Sequence, residues 1–193
     1  MAANAFRGRG LGVLLAVSLA WGFGTTPCRA DILNHSSAEF ASNTGAILYI
    51  GAGIGLPLLE DGSLGKNRAL RTLDSLGTSV LITEGLSHII HEERPNGSGN
   101  DSFPSGHATG VFAVATTESQ FHPRQSVLWY TGAALIADSR VTLRKHYTRD
   151  VVVGALIGAG VARWELSRPH GLILAPLIDS STGAFGLMAG GRF

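Results

Sequence analysis

The sequence is short of cysteine and of charge. Its 193 residues include one cysteine, Cys28, and 15% charged residues, against about 25% in an average soluble domain. A single thiol excludes a disulfide framework. A formal net charge of +1 without a basic stripe excludes a nucleic-acid-binding surface, since such a surface has to neutralise phosphates. The hydrophobic content of 45% excludes a disordered chain, and the length fits one domain with one core.

Residues 1–30 have the pattern of a secretory signal peptide and are not expected to belong to the fold. Two arginines open this segment, residues 11–23 form an apolar run, and small residues precede a cleavage site after Ala30. An uncleaved membrane anchor is the alternative, because residues 10–28 carry no charge. Glycines and a proline at the end of the run favour cleavage. We therefore expect a cysteine-free protein that is periplasmic or secreted.

Apolar residues recur at spacings of three and four between residues 40 and 164, which predicts a domain of packed helices. Beyond the signal segment, a single uncharged run reaches twenty residues, at 40–59, whereas a protein with several membrane spans needs several such runs. We expect a soluble or membrane-adjacent bundle. The five main helices are predicted at 41–58, 67–92, 107–120, 125–142 and 149–165.

The pattern changes after Pro169. Residues 171–178 and 184–193 resemble two short strands around a turn. The sequence therefore predicts an all-α fold, a helical bundle at 31–168, followed by a short C-terminal β-hairpin extension at 169–193 that packs on the bundle.

Polar residues enter this apolar sequence in three patches, and their chemistry points to an anion. Arg94 and Arg140 offer planar forks of donors, which suit a tetrahedral oxyanion such as phosphate. Ser105 and Gly106 precede an apolar helical run, so that backbone N–H groups and the positive end of a helix face an anion there. These four residues predict a phosphate-binding site.

Two histidines and an aspartate provide the groups for covalent phosphoryl transfer. His146 and Asp150 are four residues apart and share a helix face, so the carboxylate can accept from one ring nitrogen and leave the other as a lone pair. His107 comes from another segment and can protonate a leaving alkoxide. A zinc site is the alternative for these histidines, but the neighbouring arginines would repel a dication and no cysteine accompanies them. No metal or cofactor is expected.

These residues give the chain a resemblance to the type 2 phosphatidic acid phosphatase (PAP2) superfamily, which includes bacterial class A acid phosphatases and vanadium-dependent haloperoxidases. The superfamily pattern is K-x6-R-P, then P-S-G-H, then S-R-x5-H-x3-D. Residues 104–107 match the second element, and Ser139, Arg140, His146 and Asp150 match the third in full. The resemblance extends from about residue 45 to residue 165. It implies a mostly helical fold with the site at one end of the bundle.

The resemblance also implies a role for each site residue. His146 attacks phosphorus to form a phosphohistidine, Asp150 orients it, and His107 protonates the leaving group. The remaining groups bind the equatorial oxygens of the phosphate: Arg94, Arg140, Ser105 and the Gly106 amide.

One position departs from the superfamily pattern. The lysine of the first element is replaced by Ser87, so the chain lacks a cation that contacts the phosphate. His91 lies one turn beyond Ser87 on the same predicted helix face and is a partial substitute, whereas His88 points away. Other cations that could take the place of the lysine are Lys66, Arg68, Arg71, Arg144 and Lys145.

The expected function is that of an exported, metal-independent phosphatase of the acid phosphatase or phosphatidate phosphatase type. Its substrate would be a phosphomonoester or diphosphate, with lipid phosphates preferred over small phosphoesters, and a membrane surface is an expected partner. A vanadium-dependent haloperoxidase is one alternative. The other is a non-catalytic phosphate-binding protein that lost activity with the lysine now replaced by Ser87.

Overall fold

A computed structural model describes residues 33–168 and the two strand segments 174–179 and 184–189. The predicted signal peptide at 1–30 lies outside the described residues. The described elements, in chain order, are α1 (His35–Phe40), a π-helical turn (Ala41–Gly45), α2 (Ala46–Glu60), a 3-10 turn (Gly62–Leu64), α3 (Gly65–Ile90), α4 (Gly106–Phe121), a 3-10 turn (Pro123–Gln125), α5 (Ser126–Thr142), α6 (Thr148–Leu166), β1 (Leu174–Asp179) and β2 (Ala184–Ala189).

The helical bundle confirms the predicted all-α class, and the predicted helices differ from the observed ones mainly at their ends. The first begins at His35 instead of residue 41, because Asn34 caps it by accepting a hydrogen bond from the Ser37 amide. The second ends at Ile90 instead of residue 92, because His91 has a left-handed conformation with φ of 51°, which ends a helix.

Helix α4 is the centre of the bundle. It packs against α2, α3, α5 and α6, and its residues from Ala108 to Val111 and from Ala113 to Glu118 are all buried. The side chains around it are small, and many are hydroxyls. Thr72 and Thr83 of α3, for example, form hydrogen bonds to Thr117 and Thr109 of α4. These two pairs show that α3 and α4 run antiparallel.

Helix α6 comes unusually close to α4 because two of its residues lack side chains. A Cβ at Gly154 would lie 2.5 Å from the Ser105 carbonyl oxygen, and a Cβ at Gly158 would lie 2.1 Å from the Thr109 carbonyl oxygen. This approach lets the Ser105 amide donate to the Asp150 carbonyl at 3.0 Å. The start of α6 is thereby fixed beside the start of α4, and this is the end of the bundle where the site residues predicted from the sequence lie.

After α6, β1 and β2 pair antiparallel, with Leu174 opposite Ala189 and Asp179 opposite Ala184. The residues between these strands, 180–183, and those that link β1 to the bundle, 169–173, lie outside the described part of the chain. The predicted packing of this extension on the bundle stays a prediction.

One helical stretch among the described residues, His35–Glu60, is long and apolar enough to cross a membrane, judged by length and composition alone. Core helices of other proteins and signal sequences meet the same criterion. The stretch contains the twenty-residue uncharged run that stands out in the sequence.

Candidate active site

The predicted site residues meet at one end of the bundle. This end is formed by the start of α4, the start of α6, the last turn of α5, the loop at 91–105 and the π-helical turn. The pKa of His146 is lowered mainly by burial, and Arg140, Arg94 and His107 all lie close enough to lower it as well. Three segments that are far apart in the sequence therefore contribute to one site.

His146 is held with one ring nitrogen bound and the other facing a cation. Its Nδ1 lies 2.6 Å from the Ser102 carbonyl oxygen and donates to it, so Nε2 carries the lone pair. Nε2 faces the Arg140 guanidinium, with Nη2 at 3.5 Å. The ring is buried, with 4% of the residue exposed. This arrangement aims an unprotonated nitrogen at the space beside Arg140.

Asp150 does not accept a hydrogen bond from His146, contrary to the direct contact expected from the sequence. Its Oδ2 lies 4.0 Å from His146 Nδ1 and instead accepts from the Ser102 hydroxyl at 2.5 Å and from the Tyr147 amide at 2.8 Å. The Ser102 carbonyl takes the position next to the imidazole. Asp150 therefore acts on His146 through Ser102, which holds the carboxylate with its side chain and the histidine with its backbone.

Ser42, in the π-helical turn, connects the arginine and the second histidine. Its hydroxyl accepts a hydrogen bond from Nη1 of Arg140, and its backbone is hydrogen-bonded to His107. Arg140 is buried, with 4% exposed, and its Nε has no hydrogen-bond partner among the described residues. A π-helical turn at this place fits the frequent occurrence of such turns at functional sites.

Arg94 reaches the site from the loop between α3 and α4. Its Nη2 donates to Oδ2 of Asp101 at 2.7 Å, while its Nε is buried without a hydrogen-bond partner in the described residues. Asp101 is largely exposed to solvent, so this ion pair is weak and can be exchanged for a phosphate oxygen. Burial lowers the pKa of the Arg140 guanidinium to about 10, and the nearby charge of Arg94 lowers it as well.

The start of α4 supplies neutral donors to the same space. Ser105 is fully buried, and its hydroxyl has no hydrogen-bond partner among the described residues. It is the N-cap residue of a sixteen-residue helix but its side chain does not cap the helix. The first amides of α4, beginning at Gly106, precede the first intrahelical donor and face outward from the helix end. An anion bound there would satisfy both the amides and the hydroxyl.

The two histidines are neutral at rest. The pKa of His146 is lowered to about 4, mainly by burial and also by the charges of Arg140 and Arg94, although the hydrogen bond to Ser102 opposes this shift. Burial and the charge of Arg140 likewise lower the pKa of His107 to about 4. The site thus holds two positive guanidinium groups and two uncharged rings, and it is electrostatically suited to an anion.

Asp150 also has a perturbed pKa. Burial raises it to about 6, although the hydrogen bonds from Ser102 and Tyr147 oppose this shift. Among the residues that the structure describes, no group of three or more His, Cys, Asp or Glu side chains has the geometry of a metal site.

His91 does not replace the missing lysine in the way the sequence suggested. His91 is exposed and has left the helix face, because it takes the left-handed conformation at the end of α3. His88 is also exposed, and its Nδ1 contacts the Glu84 carbonyl at 2.8 Å. Ser87 itself is buried on α3.

Ser42 and Ser102 are site residues that the sequence did not reveal. Ser102 lies in the polar patch that ends with Pro104–His107 and could have been suspected from that position. Ser42 gave no signal, since ninety-eight residues separate it from the arginine that it contacts.

This geometry defines a class of protein, a helical bundle in which two arginines and two buried or half-buried histidines meet at one end. The sequence pattern of the PAP2 superfamily matches residues 73–172, just over half of the chain. The chain therefore belongs to the PAP2 superfamily, which confirms the resemblance drawn from its motifs.

Similar proteins agree with this membership. The chain is 39% identical to lipid A 1-phosphatase of Porphyromonas gingivalis over 94 residues, which are 44% of this chain and 20% of that protein. The chain thus aligns with about a fifth of the length of this curated relative.

Two solved structures share the fold. Aquifex aeolicus LpxE matches 75% of this chain and 100% of its own, with 21% identity and a TM-score of 0.53. A transmembrane PAP2-type phosphatidylglycerolphosphate phosphatase from Bacillus subtilis matches 81% of this chain and 93% of its own, with 22% identity and a TM-score of 0.57. At these identities the likeness concerns the fold alone.

Proposed function

We propose that this protein is a phosphatase that cleaves a phosphomonoester or diphosphate through a phosphohistidine at His146. The observation that carries this proposal is the hydrogen bond from His146 Nδ1 to the Ser102 carbonyl, 2.6 Å long. It keeps the Nε2 lone pair available beside Arg140, which is where a bound phosphorus atom would be attacked.

In the first step, His146 Nε2 forms a bond to phosphorus while the bond from phosphorus to the leaving oxygen breaks. His107 gives a proton to that oxygen, so the leaving group departs as an alcohol or as a phosphate. In the second step, the oxygen of a water molecule bonds to phosphorus while the bond from phosphorus to His146 Nε2 breaks. His107 takes a proton from this water, inorganic phosphate is released, and His146 is free again. The chemistry of these residues needs no metal.

Four groups would stabilise the charge on the equatorial oxygens during both steps. Arg94 and Arg140 each have an unpartnered buried Nε within the described structure, and the Ser105 hydroxyl and the Gly106 amide add neutral donors. Because the site is buried, these preorganised donors act more strongly than they would in water. Asp150 would keep the imidazole oriented by fixing Ser102.

The preferred substrate in this proposal is a lipid phosphate. A cavity of about 320 Å³ adjoins His107, near the lower end of the range for ligand pockets, about 300–1,000 Å³. Its walls are mainly apolar side chains of α2, α3 and α4, including Ile50, Leu76 and Val80. A leaving group protonated by His107 would extend into this cavity, which suits a hydrocarbon chain. The similarity to lipid A 1-phosphatase supports the same substrate class.

The protein would act at a membrane surface after export. Several large apolar side chains at the start of α2 and of α5 are exposed, among them Ile47 at 73% and Val127 at 78%. Contact with lipid would remove such side chains from water.

The catalytic proposal is tested with the purified protein and the variant His146→Ala. Hydrolysis of p-nitrophenyl phosphate and of phosphatidic acid should fall by more than about a thousandfold, because the variant lacks the nucleophile. A phosphohistidine trapped from labelled substrate should map to His146. Equal rates in the variant and the wild type would refute the proposal, and phosphate binding without turnover would identify a non-catalytic binding protein.

The lipid preference is tested by narrowing the cavity. A Cβ at Gly110 would project towards the Leu76 side chain, 3.1 Å from its Cδ1. Gly110→Ala should lower kcat/KM for phosphatidic acid about tenfold relative to p-nitrophenyl phosphate, since one methylene in an apolar pocket has an effect of this size. Gly85→Ala is the matched control, because a Cβ there meets nothing within 4 Å. An unchanged ratio of the two rates would contradict the preference.

A further inference from the structure

The corner of the site next to α3 lacks a positive charge from that helix. Thr83 of α3 is hydrogen-bonded to Thr109 of α4 at 3.0 Å. Since the two helices are antiparallel, one further turn of α3 brings Ser87 level with Ser105 at the start of α4. Ser87 therefore faces the proposed phosphate position with a neutral side chain. A phosphate dianion bound there would meet the charges of Arg94 and Arg140 alone, unless another cation enters from elsewhere.

Lys145 is positioned to enter from the loop between α5 and α6. Its amide donates to the Arg140 carbonyl at 3.0 Å, and the amide of the next residue, His146, donates to the same carbonyl at 3.3 Å. The lysine is thus fixed between the phosphate-binding arginine and the nucleophile. The residue is half-buried, so the side chain lies against the protein.

The turn that brings Lys145 back over α5 has a strained backbone. Arg144 adopts φ of 54°, a left-handed conformation that non-glycine residues rarely take. Such conformations persist where the surrounding structure imposes them, and they concentrate at functional sites. Here the consequence of the turn is the placement of Lys145.

The charge of Lys145 reaches the site. Burial is the largest cause of the lowered pKa of His107, and the charges of Arg140, Lys145 and Arg94 lower it as well. A cation close enough to repel the protonated form of His107 is also close enough to attract an anion bound beside that ring.

The other candidate cations are engaged or distant. Arg68 pairs with Asp61 at 3.0 Å and lies over the ring of Phe121. Arg71 binds the Glu165 carboxylate at 2.9 Å. Lys66 lies twenty-one residues before Ser87 on α3, which corresponds to about 30 Å along a helix.

We propose that Lys145 binds the phosphate group from the side of His107 and supplies the third positive charge of the site, in place of a lysine at position 87. The inference rests on the proposed function, because it assumes that a phosphate group is bound between the two arginines. A cation from the α5–α6 loop contacts the same oxygens that a cation from α3 would contact, but it approaches from the opposite wall.

The test compares Lys145→Gln with Arg144→Gln, which removes the same charge from the neighbouring exposed residue. Binding of inorganic phosphate and of orthovanadate is measured by calorimetry at about 150 mM salt, where exposed charges are screened. Lys145→Gln should weaken binding and lower kcat/KM by about ten- to a hundredfold, as expected for a charge-assisted contact. Arg144→Gln should change phosphate binding and kcat/KM by less than about twofold each. Lys145→Arg keeps the charge, so its phosphate binding and its kcat/KM should stay near those of the wild type.

A lysine introduced at position 87 provides the decisive comparison. Ser87→Lys should restore most of the loss in the Lys145→Gln background and have little effect in the wild type. Equal effects of Ser87→Lys in both backgrounds, or equal effects of the two glutamine variants, would overturn the inference. If the wild type binds phosphate without hydrolysing any ester, the proposed function fails, while weaker binding by Lys145→Gln would still support the role of the lysine.

Discussion

The two site histidines owe their protonation state to burial and to the guanidinium groups around them. Both have a pKa lowered to about 4 in the free protein, so both rings are neutral near pH 7. In the proposed mechanism, a neutral His146 can attack phosphorus, whereas a neutral His107 has no proton to give. Binding of a phosphate dianion would offset the charges of Arg94 and Arg140 and raise the pKa of His107. Substrate binding and protonation of the general acid are therefore coupled.

This coupling predicts an acidic pH optimum. In the free protein, His146 needs a pH above its lowered pKa and His107 a pH below its own, so kcat/KM should be highest below about pH 6 and fall as the pH rises. The profile of kcat should lie at higher pH, because bound phosphate raises the pKa of His107. Steady-state kinetics between about pH 3.5 and pH 8 measure both profiles.

His88→Gln serves as the control for the pH profiles, since His88 is exposed and its removal should leave both unchanged. A kcat/KM optimum at or above about pH 7 would contradict the prediction, because two unperturbed imidazoles would produce an optimum nearer their ordinary pKa of about 6.5.

Among the secondary-structure elements, the contact between α4 and α6 decides the geometry of the site. Gly154 and Gly158 allow the two helix backbones to touch. The Asp150 carbonyl at the start of α6 then meets the Ser105 amide at the start of α4. A wider separation would move Asp150 away from Ser102 and release His146.

We predict that Gly158→Ala destabilises the protein by about 1–3 kcal/mol or more, as expected for overpacking against a rigid neighbour. The new Cβ would lie 2.1 Å from a backbone oxygen, which cannot move without shifting α4. Gly160→Ala on the same helix meets nothing within 4 Å and should be neutral or stabilising by about 0.5–1 kcal/mol. Denaturant unfolding measures both, and equal stabilities of the two variants would contradict the packing argument.

The helices themselves followed from local patterns, with errors that have local or tertiary causes. The spacing of apolar residues located α4, α5 and α6 to within one residue at each end. The end of α3 was placed too late because apolar periodicity carries no information on the left-handed conformation of His91. The expectation that His146 and Asp150 share a helix face was wrong, because His146 lies in the loop before α6 and only Asp150 is helical. The 4.0 Å gap between them depends on Ser102, which comes from another segment.

For the molecule as a whole, α4 connects two buried polar clusters of different character. His107 lies at its first turn, and Glu118 lies eleven residues later, about 16 Å away along the helix. Glu118 is fully buried, with Asp61, Arg68 and His122 around it. Burial raises the pKa of Glu118 to about 7, more than the hydrogen bond from Thr72 lowers it.

Glu118 and the two site histidines should change the stability of the protein in opposite directions as the pH rises. A raised carboxyl pKa means that the folded state binds the proton more tightly than the unfolded state does. The stabilisation that protonated Glu118 provides is therefore lost as the pH rises from about 4.5 to about 7. The lowered pKa values of the two site histidines work the other way, and stability from them rises between about pH 4 and pH 6.5.

We predict that Glu118→Gln removes the loss of stability that Glu118 causes as the pH rises. The free energy of unfolding of the variant should rise relative to the wild type by about 1–3 kcal/mol between pH 4.5 and pH 7. Urea unfolding across this pH range measures the difference. Glu60→Gln is the control, because Glu60 is exposed and should give a curve parallel to the wild type. Parallel curves for Glu118→Gln would refute the prediction.

Sequence alone was sufficient for the helical class and the superfamily, because these depend on residue types at short spacings along the chain. Apolar periodicity predicts a helix that buries one face, and a motif such as Pro-Ser-Gly-His keeps its donors together locally. The sequence also indicated that the α3 lysine of the superfamily is absent and left five cations as candidates.

Tertiary structure decided how these groups meet. Ser42 and Ser102 join the site through contacts over ninety-eight and forty-eight residues, and the placement of Lys145 depends on a turn that folds back onto Arg140. Contacts between distant segments depend on how closely the helices pack, and that distance is set by the absence of a side chain at Gly154 and Gly158. No local pattern in the sequence specifies such a distance.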